Sequence, residues 1–193
     1  MRAYVLGEGH ALEVVSLLSS TMPWAPPTTA QDIAARTKHC PDGQCVVLDH
    51  DGRVIGYGFM IRTRAGLIEG EWYIDTGHGI GETHLGRGNV AYVCSTVWDP
   101  QTPMAVRTIV EWYRVTAEQW RTKQIHGFSR VPSLARYQEP LRAGDVHDLV
   151  LDGQDPLTRL YGKLGFEPAV PKPGYSLVDH ESKGYGMLMV GSV

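Results

Sequence analysis

Asp155-Pro156-Leu157-Thr158-Arg159-Leu160-Tyr161-Gly162-Lys163-Leu164-Gly165-Phe166 is the stretch whose reading decides the fold, and Glu167-Pro168-Ala169-Val170 follows it directly. Asp155 suits a helix N-cap, and Pro156 suits the first helical position, where a missing amide donor costs nothing. Leu157, Leu160, Tyr161 and Leu164 recur at spacings of three and four and mark one apolar face. Gly165 supplies the left-handed residue that stops the helix, and Phe166 begins a buried strand. Tyr161 stands one turn before the helix end, where its ring packs and its hydroxyl can face a cleft. A short amphipathic helix therefore runs into a strand.

Upstream, Gln44 to Asp49 and Arg53 to Thr63 read as two strands joined by His50-Asp51-Gly52, since Asp-Gly is a strong hairpin signal. Asn89 to Val97 reads as the central strand, and Pro103 to Lys123 as the longest helix. Val106, Ile109, Val110, Tyr113, Ala117 and Trp120 give that helix its apolar stripe. A further strand at Ile125 to Ser129 completes a right-handed parallel crossover unit. Nearer the start, Arg2 to Leu6 reads as a strand and His10 to Leu18 as a helix with Leu12, Val15 and Leu18 on one face. Thr21-Met22-Pro23-Trp24-Ala25-Pro26-Pro27 breaks regular structure, and Trp24 in it reads as a core plug before a pocket wall. Thr29 caps a helix over Ala30 to Lys38. Asp145 to Leu149 reads as a polar excursion, and a Pro/Gly loop from Pro171 leads to a closing strand ending near Val190.

The 193 residues suit a single domain with a substantial core. A formal net charge of -3 and the lack of a Lys/Arg-rich block exclude a phosphate-backbone partner, so no nucleic acid is expected. No apolar run approaches the ~20 residues of a membrane span, and Gly7-Glu8 interrupts the first apolar residues before they can act as a signal peptide. The chain reads as a cytoplasmic protein without membrane contact. Cys40, Cys45 and Cys94 are then reduced thiols, and Cys40-Pro-Asp-Gly-Gln-Cys45 is a turn rather than half a zinc site, because no second ligand pair follows. Leu67 to Gly88 is irregular. Its glycines, Gly77, Gly79, Gly81, Gly86 and Gly88, do not open a helix, so a phosphate loop is excluded, and a long excursion carrying polar side chains is expected. His78, Glu82 and His84 offer metal-ligand chemistry but read as exposed loop residues, so no metal is expected.

In its order of residues, Leu160-Tyr161-x-Lys163-Leu164-Gly165-Phe166-Glu167 resembles the fourth helix and following strand of the GNAT superfamily of acyl-CoA-dependent N-acyltransferases. Val46 to Met60, VVLDHDGRVIGYGFM, is similar to that family's second and third strands. Arg130-x-Pro132 with Tyr137 beyond it, and Glu181-Ser182-x-Gly184-Tyr185, look like one bacterial GNAT branch, so the resemblance runs from about Gln44 to the C-terminus. It implies one α/β (α+β) domain with a mixed central sheet of about six to seven strands flanked by helices, built around the parallel strand–helix–strand unit.

The same resemblance implies acyl transfer from acetyl-CoA or another acyl-CoA to a small-molecule amine; a homodimer is the oligomer considered. Tyr161 would protonate the leaving thiolate, and the backbone of Val97 and Trp98 would bond the pantetheine arm. Glu71 is the preferred base among Glu71, His84 and Asp99, while Trp24, Tyr73 and His84 would line the acceptor side. Cys94 or Ser95 as nucleophile would need a neighbouring His that the sequence does not pair with either.

The coenzyme loop departs from the family pattern. In Val97-Trp98-Asp99-Pro100-Gln101-Thr102-Pro103-Met104-Ala105-Val106-Arg107, Thr102 stands where Arg or Gln belongs, and Pro103 and Ala105 replace glycines. Thr102 as N-cap and Pro103 as first helical residue still start a helix, leaving the amides of Met104, Ala105 and Val106 for an anion. Proline has no N–H, and side chains hinder the close approach that glycine permits. Arg107 would grip a phosphate or remain a solvated surface residue. Two functions follow: an acyltransferase with an atypical coenzyme site, taking acyl groups from CoA or from a carrier protein's phosphopantetheine, or a GNAT-like scaffold that binds without transfer or runs another reaction.

Overall fold

Residues 2–68, 76–139, 141–176 and 179–193 are described by the structure, a computed structural model, without the side chains of Glu8 and His78. The hairpin expected at Asp51-Gly52 forms between β2 (Gln44–Leu48) and β3 (Val54–Thr63), with Gly52 at a φ of 80°. β1 (Arg2–Val5) adds to the outer edge of β2, and β4 (Val90–Trp98) to the other edge of β3, all antiparallel. β4 then pairs in parallel with β5 (Gln124–Arg130), connected through α3 (Met104–Gln119). β7 (Gly186–Ser192) inserts between β5 and β6 (Phe166–Lys172), giving one seven-stranded sheet in the order β1-β2-β3-β4-β5-β7-β6. The mixed sheet with its parallel crossover is thus present as expected.

Each face of the sheet is covered by its own helices. α1 (Ala11–Thr21) and α2 (Ala30–His39) lie before β2 in the chain, and α2 starts with a Thr29–Asp32 capping box. α3 buries Val106, Ile109, Val110, Tyr113, Ala117 and Trp120, the stripe read from its spacing. Gly58 makes its approach possible: a Cβ there would stand 2.7 Å from the Ile109 side chain and 2.8 Å from the Tyr113 hydroxyl. α5 (Pro156–Lys163) opens on Asp155, whose buried carboxylate accepts from the amides of Leu157, Thr158 and Ser133 at 2.9–3.1 Å. It ends at Gly165, whose φ of 85° is left-handed and whose missing side chain leaves room for Arg114, which donates to the Leu164 carbonyl.

Three sequence expectations need correction. Leu12 is 75% exposed, because α1 turns Val14, Leu17 and Leu18 inward instead. The polar excursion before α5 is a helix, α4 (Ala143–Leu151), which buries Val146, Leu149 and Val150 at spacings of three and four. The longest helix ends at Gln119, before Arg121 takes a left-handed φ of 56°. None of the described helices is long and apolar enough to cross a membrane.

Candidate functional site

The site begins with one extra residue. Between Phe59↔Ser95 and Met60↔Val93, Cys94 has no partner on β3, so β4 bulges there. Pairing of β4 with β5 ends at Val93↔Gly127, although β4 continues to Trp98 and β5 to Arg130. The two strands splay, and the edge of β4 that faces β5 is left without a strand partner from Ser95 onward. A cavity of about 880 Å³ fills this gap, lined from β4 by Ser95, Thr96, Val97 and Trp98 and from α5 by Leu157 and Tyr161. The half-buried apolar face of α5 therefore roofs a chamber instead of sealing the core, which explains why Thr158 alone is fully buried on it.

Register sorts the lining residues into two halves. Thr96 lies opposite Gly58, on the face covered by α3, whereas Ser95 lies opposite Phe59, on the face covered by α1 and α2. On the α3 face the Tyr113 hydroxyl donates to the Ser95 carbonyl at 2.7 Å, and Tyr113 and Thr96 share a hydrogen bond of 2.9 Å. A hydroxyl has one proton, so Thr96 donates to Tyr113, and Thr96 is also near enough to Tyr161 to act on its phenol. Burial pushes the Tyr161 phenol up to about 12, against the lowering by Thr96, and Tyr113 is raised well above its ordinary value by burial. All three hydroxyls are proton-bearing at neutral pH. Thr96, Tyr113 and the Ser95 carbonyl form a directed row, and the Tyr161 hydroxyl stands beside its Thr96 end.

On the other face, Trp24 lines the cavity instead of plugging the core, with the Arg130 guanidinium 4.2 Å from its ring centre. Arg130 ends β5 and is held by a bidentate pair with Asp179 at 2.6 and 2.7 Å and by Glu181 at 2.8 Å. Burial raises the Asp179 carboxyl, but its bonds to Arg130 and Ser182 outweigh that and hold it below its ordinary value. Arg36 also lines this half, buried to 2% exposure.

None of the remaining expected residues that are described lines this chamber. Glu71 and Tyr73 lie outside the described residues. His84 is corrected from a cavity residue to a structural one: its Nδ1 accepts from the Arg62 amide at 3.1 Å, its ring meets Trp120 at 5.7 Å, and burial lowers its pKa. Asp99 serves its turn, with its carboxylate accepting from the Gln101 amide at 2.9 Å. The Thr102 hydroxyl donates to the Asp99 carbonyl instead of capping α3, and the Ala105 amide is bonded to the Thr102 carbonyl at 2.9 Å. The set of free amides expected at Met104, Ala105 and Val106 is therefore incomplete, and Ala105 and Val106 turn their side chains into the core. Arg107 is exposed and pairs with Glu111 at 3.4 Å; it borders a second, shallower depression with Arg114 and Lys163. The residues missed from sequence, Thr96, Tyr113, Arg36 and Arg130, are brought to the chamber by the bulge and by sheet register, which no local spacing announces.

No protein-family model matches the sequence, and no curated protein matches it. Solved structures do. The GNAT-like decarboxylase GphF, in complex with isobutyryl-CoA, matches with a TM-score of 0.81 at 16% identity, over 100% of this chain and 99% of that one. The loading GNATL domain of CurA from Lyngbya majuscula matches with a TM-score of 0.83 at 17% identity, over 99% and 96% of the two chains. A GNAT superfamily phosphinothricin acetyltransferase from Sinorhizobium meliloti, in complex with AcCoA, matches with a TM-score of 0.62 at 12% identity, over 99% and 87%. With its splayed parallel pair, bulged central strand and full-length likeness to these structures, the chain has the GNAT fold.

Proposed function

We propose that the protein is an enzyme of acyl thioesters carried on a phosphopantetheine arm, and that it releases CO2 from a β-carboxyacyl thioester. The observation that carries this is the cavity lining: its titratable side chains are three tyrosines, two arginines and the Cys94 thiol, with no carboxylate or imidazole among the described lining residues. Transfer to an amine needs a group to take the amine's proton. Loss of CO2 needs none, because the breaking C–C bond leaves its electron pair on the substrate. The closer likeness to a decarboxylase and to a loading domain, at TM-scores of 0.81 and 0.83 against 0.62 for the acetyltransferase, points the same way.

The chemistry is an electron shift followed by one protonation. As the carboxylate departs as CO2, the C–C pair becomes an enolate on the thioester, and the Tyr161 hydroxyl donates to the developing charge. The α-carbon then takes a proton, supplied by Tyr161. Thr96 and Tyr113 can each rotate to donate back along the row and stabilise the phenolate until water reprotonates it. The thioester survives with one hydrogen in place of the carboxylate, ready for a carrier protein or for release. Thioester and arm would lie along the unpaired edge of β4 at Val97 and Trp98, with the phosphate near Arg107 and the start of α3.

A second reading, N-acyl transfer to a small-molecule amine, is supported by the cavity volume of about 880 Å³, which leaves room for an acceptor beside the acyl group, with Glu71 as its base. Incubation with malonyl-CoA, methylmalonyl-CoA and their phosphopantetheinyl carrier-protein forms, followed by mass spectrometry and CO2 capture, tests the first. Acetyl-CoA with a panel of amines tests the second. Release of CO2 without amine is the expected result; acylated amine with no CO2 release selects the second reading, and neither product sinks both.

A further inference from the structure

Arg36 takes no part in the chemistry at Tyr161, yet it is the most costly residue of the chamber to bury. It stands on α2 at 2% exposure, and no carboxylate among the described residues forms an ion pair with it. Its Nε donates to the Gly79 carbonyl at 2.8 Å and its Nη1 to the Tyr57 hydroxyl at 3.1 Å, while Cζ lies 5.0 Å from the Phe59 ring centre. Those partners are neutral: burial holds the Tyr57 phenol up at about 12, even with Arg36 beside it. Asp32, one turn earlier, feels the charge, but its carboxylate is committed to the Thr29 amide and hydroxyl at 2.7 and 2.8 Å. Nη2 makes no hydrogen bond to a described residue. A guanidinium in this position is a buried charge without a counter-ion among the described residues, which proteins seldom keep unless something else supplies the anion.

Two more unsatisfied donors line the same cavity. The Ser95 hydroxyl is buried without a hydrogen-bond partner, and so is the Trp24 indole N–H. Ser95 lies opposite Phe59 in the β3–β4 register, on the face where Arg36 rests against that ring, so serine and arginine are near neighbours across the strand pair. Arg36, the Ser95 hydroxyl and the Trp24 indole N–H can each donate, which suits a ligand rich in acceptor oxygens. We propose that Arg36, with the Ser95 hydroxyl and the Trp24 indole N–H, forms a carboxylate subsite on the α1/α2 side of the chamber, across the sheet from Tyr161. Its occupant rests on the acyl-thioester reading: it is the β-carboxylate of the acyl group or, if the reaction is amine acylation, the carboxylate of an amino acid acceptor.

A carboxylate held here fixes the C–C bond that breaks relative to the thioester plane. The contact belongs to the ground state and weakens as CO2 forms, so its loss raises KM and does not lower kcat. Binding is measured by calorimetry with S-(2-carboxyethyl)-CoA, a thioether that cannot lose CO2, against uncharged S-propyl-CoA. Both are also made on phosphopantetheine, and free malonate and an α-amino acid panel form separate arms. The carboxylated thioether is expected to bind at least about tenfold tighter than S-propyl-CoA. Arg36→Gln should erase that preference while leaving the uncharged thioether's affinity unchanged, and should raise KM without lowering kcat. Arg36→Lys, which keeps the charge, and Ser95→Ala, which leaves the Gly79 and Tyr57 bonds alone, should each lose part of the preference; circular dichroism checks their folding. Preference for amino acids alone supports the subsite with the acceptor as source. If neither thioether binds but malonate does, lost in Arg36→Gln, the subsite stands and the thioester reading falls. Equal binding of charged and uncharged probes in every arm, unaltered by Arg36→Gln, overturns the proposal.

Discussion

Tyr161 is the residue on which sequence and structure meet. Its place one turn before the end of α5 was legible from the spacing, but its partners were not. Period-two alternation along β4 carries a uniform strand through Cys94, and the bulge there resets which side chains face α3. Thr96 and Tyr113, 17 residues apart, are joined only by that reset. Tyr161→Phe removes the proton donor without disturbing the ring contact with Phe166 at 6.1 Å, so turnover should fall roughly 100-fold or more while the fold persists. Thr96→Val leaves the donor but removes the hydroxyl that steadies the phenolate; a loss of about tenfold is expected, consistent with one net hydrogen bond. With the phenol at about 12, no alkaline limb from this acid should enter the kcat profile below pH 10. Steady-state rates across pH 6 to 10 check all three, and a Tyr161→Phe enzyme of undiminished rate would remove this residue from the chemistry.

At the scale of elements, α5 owes its position to Asp155. Three amides converge on its carboxylate, two from the helix and one from the turn after β5, so one side chain both caps the helix and ties it to the strand below. Asp155→Ala would leave buried donors unsatisfied on both sides and should cost about 2–3 kcal/mol, more than an ordinary cap. Asp155→Asn keeps an acceptor and should cost less, and urea unfolding of the two variants measures the difference. The cap, the Gly165 stop and the hairpin at Gly52 were readable because each demands a particular residue type locally. α4 was not, since Asp145, His147 and Asp148 mask a stripe of only three apolar residues, and it is the packing of Val146, Leu149 and Val150 that makes the segment helical. The start of α3 was half legible: Pro103 does precede the helix, but Thr102 spends its hydroxyl on Asp99.

Across the whole molecule, the sheet concentrates ionisable groups in places where they must stay neutral. Tyr113 and Tyr161 line the gap between β4 and β5, Tyr57 lies buried on β3, and burial raises all three, to about 12 for Tyr57 and Tyr161 and well above 10.0 for Tyr113. Cys40 is likewise pushed up to about 12 from 9.0, and Cys45 is raised by burial against β3. In the unfolded chain these groups lose protons near their ordinary values, whereas the folded protein keeps them. Above pH 9 to 10 the unfolded state therefore binds fewer protons, and stability must fall as pH rises, continuing until the folded groups titrate near 12. The contribution is fully present below pH 9. Each retained proton steepens the fall by roughly 1.4 kcal/mol per pH unit, so the midpoint of urea unfolding should drop sharply between pH 9 and pH 11. Absorbance at 295 nm offers an independent count: of nine tyrosines, these three should ionise only as the protein unfolds. Thiol reagents should find Cys40 and Cys45 unreactive until the same transition. If all nine phenols titrated together near pH 10 in the folded protein, the chamber would be open to water, and the proton row that the proposed chemistry needs would not be held in place.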